Sequence, residues 1–131
     1  ILGPERSATQ IELAQTDCRN IGIKAPVRSS GDTKGTPGVT LRGPNGTLTV
    51  PEGVMIADRH IHMTPAQAAA FGLADGDRVQ VKIDGPKPGV MGGVLIRAND
   101  KCALDFHIDT DDGNAFLLRQ GQLVTVLGKE E

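Results

Sequence analysis

The three histidines of the chain fall in two short segments, His60 and His62 in Asp58-Arg59-His60-Ile61-His62-Met63 and His107 in Asp105-Phe106-His107-Ile108-Asp109. In an extended strand, residues two apart point to one face, so His60 and His62 present two imidazoles side by side while Ile61 turns towards a core. Such a pair can chelate a transition metal, or it can be two solvated histidines on an exposed strand. A third histidine flanked by apolar residues of the opposite face favours the metal. Three neutral imidazoles with open remaining positions suit a catalytic zinc or similar ion, whereas a structural site closes with four protein ligands. Asp58, Asp105 and Asp109 are candidates to fix the imidazole tautomers from behind, and each is equally well read as a strand-end carboxylate in solvent.

Glu12 lies in Thr9-Gln10-Ile11-Glu12-Leu13, an alternating run in which an unpaired charge is costly to bury and a neighbouring cation would offset that cost. It should share a face with Gln10. Arg6, just upstream, has the planar fork that grips an anion, and its plainer reading is a surface arginine. Cys18 and Cys102 stand far apart and outside any CxxC pattern, which suggests neither a disulfide framework nor a cysteine-based zinc finger and favours reading them as small buried hydrophobes.

These residues need a scaffold of short strands. The run 9–13 reads as a strand, Thr16 as the cap of a helix over Asp17–Ile21 ended by Gly22, and the stretch 26–37 as a loop rich in Gly, Ser, Asp and Pro. Val39–Arg42 and Thr47–Val50 flank Gly43-Pro44-Asn45-Gly46 and read as a hairpin. The pattern then predicts one strand over Val54–His62 and a helix over Ala66–Phe71, capped by Thr64, begun at Pro65 and stopped by Gly72. Strands follow over Arg78–Ile83, Val90–Ala98, Cys102–Ile108 and Gln122–Leu127. A last helix runs from Asp111 or Asp112, its capping residues, to Arg119. Many short strands with a few very short helices argue for a mainly β fold, a small β-barrel capped by short helices, and against a Rossmann architecture, for which there is no Gly-rich phosphate loop.

Composition narrows the function classes. With 131 residues, 14 basic against 16 acidic side chains, no Trp, no Tyr and three Phe, the chain has neither the charge nor the stacking surface of a nucleic-acid binder. No run approaches the roughly 20 apolar residues that cross a bilayer, and no basic-then-apolar leader pattern is present. A cytoplasmic location without membrane contact is expected. The chain opens on Ile1, within a strand-like run, which reads as a fragment or a processed piece.

Several motifs agree at consistent spacing with one known family. Ile1-Leu2-Gly3-Pro4, the Arg6–Glu12 segment, Gly22-Ile23-Lys24-Ala25-Pro26-Val27-Arg28 with Ser30-Gly31-Asp32, Gly35-Thr36-Pro37-Gly38, Arg59-His60-Ile61-His62-Met63 and His107-Ile108-Asp109-Thr110-Asp111 resemble the PduL-type phosphotransacylases (phosphate propanoyltransferases) of bacterial microcompartments. The resemblance implies a protein of two helix-capped β-barrels with a two-zinc site between them, interconverting acyl-CoA plus phosphate with acyl phosphate plus coenzyme A, propanoyl or acetyl being the expected acyl group in a pathway such as propanediol degradation. Carried over motif by motif, it makes His60, His62 and His107 the ligands of one zinc, Glu12 a ligand of the other, and Arg6 the catalytic, phosphate-binding residue.

It further implies that residues 1–23 are a crossing strand and short helix continuing from a first barrel, and that 24–131 form the second barrel. The family's other His-x-His motif, in the first barrel, is absent from these residues. The first barrel is then expected upstream in the same polypeptide or as a companion chain, and shell or lumen enzymes of a microcompartment as further partners, with the protein itself in the lumen. No Ser/His/Asp triad is present and neither cysteine is marked as a nucleophile, so direct attack by phosphate is expected. A hydrolase using the same three-histidine zinc, and a non-enzymatic metal-binding barrel, are the alternatives.

Overall fold

The computed structural model describes residues 5–130, so Ile1–Pro4 of the first quoted motif, together with the strand expected at the chain's opening, and Glu131 lie outside the described residues. The chain separates into two compact units, Ile1–Ala57 and Asp58–Glu131. Strands β1 (Ile11–Glu12) and β2 (Val27–Arg28) both hydrogen-bond, in parallel, to β5 (Val54–Ala57), within the first of these units.

In the first unit, β5 is the buried middle strand of this small sheet, with Val54, Met55 and Ile56 buried alongside Ala14 and Cys18. Helix α1 (Gln15–Ile21) begins two residues earlier than expected. Its cap position is Ala14, whose N–H donates to the Asp17 carboxylate at 3.4 Å, and Thr16 lies inside the first turn. Gly22, at φ 73°, ends the helix as predicted. The expected loop 26–37 contributes the short strand β2. The hairpin β3 (Val39–Gly43) and β4 (Gly46–Val50) forms with Gly43 opposite Gly46, leaving Pro44 and Asn45 as a two-residue turn.

The single strand expected over Val54–His62 is two strands, β5 and β6 (His60–Met63), which belong to different units. They part at Asp58-Arg59, two charged residues whose side chains turn to ion pairs with Arg78 and Asp112.

The second unit is a five-stranded sheet in the order β10-β7-β8-β6-β9, where β7 is Arg78–Ile83, β8 Gly89–Ala98, β9 Asp105–His107 and β10 Thr125–Lys129. Only the β6–β8 pair is parallel. On β7, Val79, Val81 and Ile83 are fully buried while the residues between them are exposed, the alternation of a sheet with one covered face. They pack with Ile61, Met63, Ala68, Leu73, Met91, Val94 and Ile96 as the core. Helix α2 (Pro65–Ala70) follows its sequence signals: Thr64 Oγ1 accepts from Gln67 N–H at 3.2 Å and Gln67 Oε1 accepts from Thr64 N–H at 2.8 Å. Helix α3 (Thr110–Phe116) starts earlier than expected, because Asp109 and not Asp111 or Asp112 is the cap, accepting from Asp112 N–H at 2.8 Å. It also ends earlier, at Leu117, which takes a left-handed conformation at φ 54°.

The mainly β architecture with short helices is the one the sequence indicates. The ladder of the second unit is open, with β9 and β10 as its two ends. Between those ends lies an apolar cavity of about 740 Å³, lined among others by Phe106, Ile108, Leu118, Val124 and Val126. Among the described residues, no helix is long and apolar enough to cross a membrane.

Candidate functional site

β6 fixes the histidines through its pairing on both sides. It runs parallel to β8, with His60 opposite Leu95 and His62 opposite Arg97, and antiparallel to β9, with His60 opposite His107 and His62 opposite Asp105. The ladder thus brings His107, distant in sequence, beside the His60/His62 pair. The ring centroids are 4.7, 5.0 and 4.8 Å apart, with His60 and His107 stacked and His62 edge-on to both. Among the described residues, these three are the group whose candidate ligand atoms converge, all within 4.8 Å of one another. The apolar cavity is not this site: Ile61 and Met63 line it from the opposite face of β6.

The outer nitrogens have partners. His60 Nδ1–H donates to the main-chain carbonyl of Asp58 at 2.7 Å; a carbonyl can only accept, so the proton sits on Nδ1 and the Nε2 lone pair faces inward. His60 Nε2 lies 3.2 Å from His62 Nε2, and His62 Nδ1 lies 3.0 Å from Cys102 Sγ. With His62 Nδ1–H donating to the sulfur, two lone pairs converge at a separation close to the roughly 3.3 Å expected of imidazoles sharing one tetrahedral zinc. The donor set therefore fits a borderline-soft ion of the zinc type.

Burial lowers the pKa of His62, helped by the neighbouring His60 and His107 and by Arg97, while Asp105 opposes the shift. A neutral imidazole is the form that binds metal. Of the three expected outer carboxylates, Asp58 acts through its carbonyl and gives its carboxylate to Arg78, Asp105 lies 3.5 Å from His107 Nε2, and Asp109 caps α3. Asp112, with Arg59 at 3.1 Å, is half-buried, and burial raises its pKa against that pairing.

Arg6 and Glu12 belong to the first unit, where a chain of side-chain hydrogen bonds joins them. Arg6 Nη1 and Gln10 Nε2 each donate to Ser30 Oγ at 3.0 Å, Gln10 Nε2 also donates to Glu12, and Gly31 N–H donates to Gln10 Oε1 at 2.7 Å. Gln10 and Glu12 share a face, as the strand period predicts. Glu12 is exposed, however, so the burial cost that singled it out is absent here, and the carboxylate is partnered by an amide. Ser30, Arg97 and Cys102 are neighbours of the candidate groups that the sequence does not single out, whereas Gln10 is placed beside Glu12 by the strand period. Nothing local marks Cys102, which reaches His62 only through the turn before β9.

A family profile described as phosphate propanoyltransferase matches residues 1–119. The chain is 46% identical over 128 residues to a phosphate propanoyltransferase of Thermotoga maritima, covering 97% of this chain and 61% of that protein. It is 45% identical over 127 residues to one of Lachnoclostridium phytofermentans, covering 97% and 60%, and 47% identical over 116 residues to one of Salmonella typhimurium, covering 88% and 55%. The chain spans about three fifths of the length of these curated relatives.

Proposed function

The chain belongs to the phosphate propanoyltransferase family, and on that premise we propose that it carries one half of an acyl-transfer site that exchanges the thioester of a short acyl-CoA, propanoyl or acetyl, for an acyl phosphate. The observation that carries the reading is the convergence of His60, His62 and His107 on one point, in a chain with this family's sequence. These three would hold one zinc, and Glu12 would contribute a single ligand to a second. Zinc bound there would supply a Lewis acid and a template for the reacting oxygens.

The remaining steps rest on the chain's own groups. Arg6 holds phosphate through its two-pronged guanidinium, with Gln10 and Ser30 setting the direction of that fork. A phosphate oxygen attacks the thioester carbonyl carbon, the carbon–sulfur bond breaks, and coenzyme A leaves as thiolate. No acyl-enzyme is formed. A single carboxylate is too few ligands for zinc, which takes three or four. The reading therefore takes residues 1–23 as the crossing segment from a first barrel that brings the other ligands, and 24–131 as the second barrel. The microcompartment lumen, with its shell and lumen enzymes, is the setting this reading assigns.

The test is metal analysis followed by thiol release from propanoyl-CoA, with and without phosphate, on the longest polypeptide that contains these residues. Phosphate-dependent release with zinc bound supports the reading. Phosphate-independent release turns it into a hydrolase, and metal binding without release into a metal-binding barrel.

A further inference from the structure

The turn Asp58-Arg59 precedes the first histidine, and what holds it is a feature of β8 that the acyl-transfer reading does not use. Between Val79 and Val81 the β7–β8 register shifts, and on β8 the irregularity falls at Gly92-Gly93. Gly93 sits at φ 69°, open to glycine without strain, and a Cβ on Gly92 would come within 2.7 Å of the Glu130 carboxylate. The bulge turns two main-chain carbonyls outward to two arginines. Gly93 O accepts from Arg78 Nη1, and Gly92 O accepts from Arg59 Nη1 at 3.4 Å. Each arginine is also ion-paired: Arg78 Nη2 to Asp58 at 2.6 Å, with its Nη1 3.5 Å from the other carboxylate oxygen, and Arg59 Nη2 to Asp112 at 3.1 Å. Glu130 closes the frame, accepting from Gly93 N–H and donating its own N–H to Arg78 O, each at 2.8 Å.

We propose that the Gly92-Gly93 bulge and the Arg78–Asp58 ion pair form a positioning clamp that sets the Asp58 carbonyl against His60 Nδ1 and so aims His60 Nε2 at the metal point. The Asp58 side chain is 17% exposed, held by a two-pronged guanidinium, and its own carbonyl is the group that fixes the His60 tautomer. A carboxylate meant only to be solvated would need neither the fork nor the bulge carbonyl. Outer partners of this kind change metal affinity by about 10–100-fold when lost.

The inference rests on the metal reading of the three histidines, and the experiment separates the two. Arg78→Met and Arg78→Lys are compared with Asp77→Asn, which breaks the neighbouring Asp77–Lys129 pair of the same sheet without touching the turn. Zinc affinity is measured in the full chain by chelator competition, and the His60 tautomer in the metal-free chain by nitrogen-15 shifts of the imidazoles. The expected result is roughly tenfold weaker zinc binding and loss of the Nδ1–H signature in Arg78→Met, a smaller change in Arg78→Lys, and no change in Asp77→Asn. Should Arg78→Met fail to fold, Arg78→Lys alone decides by the same two readouts. An unchanged tautomer and affinity in the Arg78 variants, or an equal loss in Asp77→Asn, overturns the clamp. A wild-type chain that binds no zinc overturns the metal reading, while the tautomer shift still decides for or against the clamp.

Discussion

His60, His62 and His107 project from strands whose main chains are paired on a five-stranded sheet, whereas Arg6, Gln10 and Glu12 extend from a segment with only two residues in a strand. In the second unit, the ladder sets ring positions, and side chains adjust only tautomers. In the first, the side chains hold one another: Arg6, Gln10, Ser30 and Glu12 form one hydrogen-bonded line, most of it exposed. A metal needs ligand atoms fixed to a few tenths of an ångström, which main-chain register supplies; a phosphate, larger and freely hydrated, tolerates a site that closes around it.

The sharpest way to break this contrast is to remove one imidazole. His60→Ala, His62→Ala or His107→Ala should each abolish most zinc binding at the cluster, since two imidazoles alone are a weak site, and nearly all turnover of the complete enzyme with it. Glu12→Gln should leave that zinc bound. Equilibrium dialysis of zinc against each variant checks both halves, and normal occupancy in any one of the histidine variants would end the assignment.

Next in size is a core truncation. Ile96 is fully buried and lies opposite Ile61 in the β6–β8 pair, so Ile96→Ala should cost about 2–5 kcal/mol. Leu48, 56% exposed on the β3–β4 hairpin, should cost well under about 1 kcal/mol when truncated. Urea midpoints read both; comparable losses would mean that the hairpin is as firmly built in as the histidine sheet.

How much of this was legible in the residues follows the same division. The β7 strand, the Thr64–Pro65 helix start, the Gly22 stop and the hairpin turn were readable because period and caps are local signals. The break at Asp58-Arg59 was not: one charged pair is compatible with a strand that runs on to His62, and what fixes the break is a pair of ion partners, Arg78 and Asp112, far along the chain. For the same reason His60–His62 could be read as a chelating pair from its spacing, while Cys102 and the carbonyl role of Asp58 could not. Tautomer-setting contacts depend on which turn passes behind a ring, and no spacing rule encodes that.

A smaller effect should mark the first unit. Arg6→Lys keeps the charge but gives up the planar two-point grip, so it should leave zinc content and turnover at saturating phosphate nearly intact. Its apparent phosphate affinity should fall about tenfold, as expected for roughly 1.4 kcal/mol. Initial rates against phosphate concentration measure it. A lower zinc content in this variant would erase the distinction between the two units, and an unchanged phosphate affinity would make Arg6 an ordinary surface residue.

The least effect concerns the edge of the histidine sheet, and its sign can be worked out. Lys129 on β10 donates to the Asp77 carboxylate at 2.6 Å, and Ala74 N–H donates to it at 2.9 Å. The Lys129 hydrogen bond, followed by that of Ala74, holds the Asp77 pKa below its ordinary value of 3.8. The folded state therefore binds this proton more weakly than the unfolded chain does. The contribution to stability is fully present above the ordinary carboxylate value and is lost as the pH falls through the lowered one. Asp77→Asn should accordingly be slightly less stable than the parent at neutral pH, by an amount kept small by the exposure of Lys129, and the two should converge as the pH falls below about 4. Urea midpoints from pH 7 to pH 2, with amide exchange followed separately on β10 and on the β3–β4 hairpin, resolve where the change falls. Faster exchange confined to β10 would show that charge pins the sheet's edge while register pins its histidines; a gap between the variants that stays constant across this range would show that Asp77 matters for its shape and not for its charge.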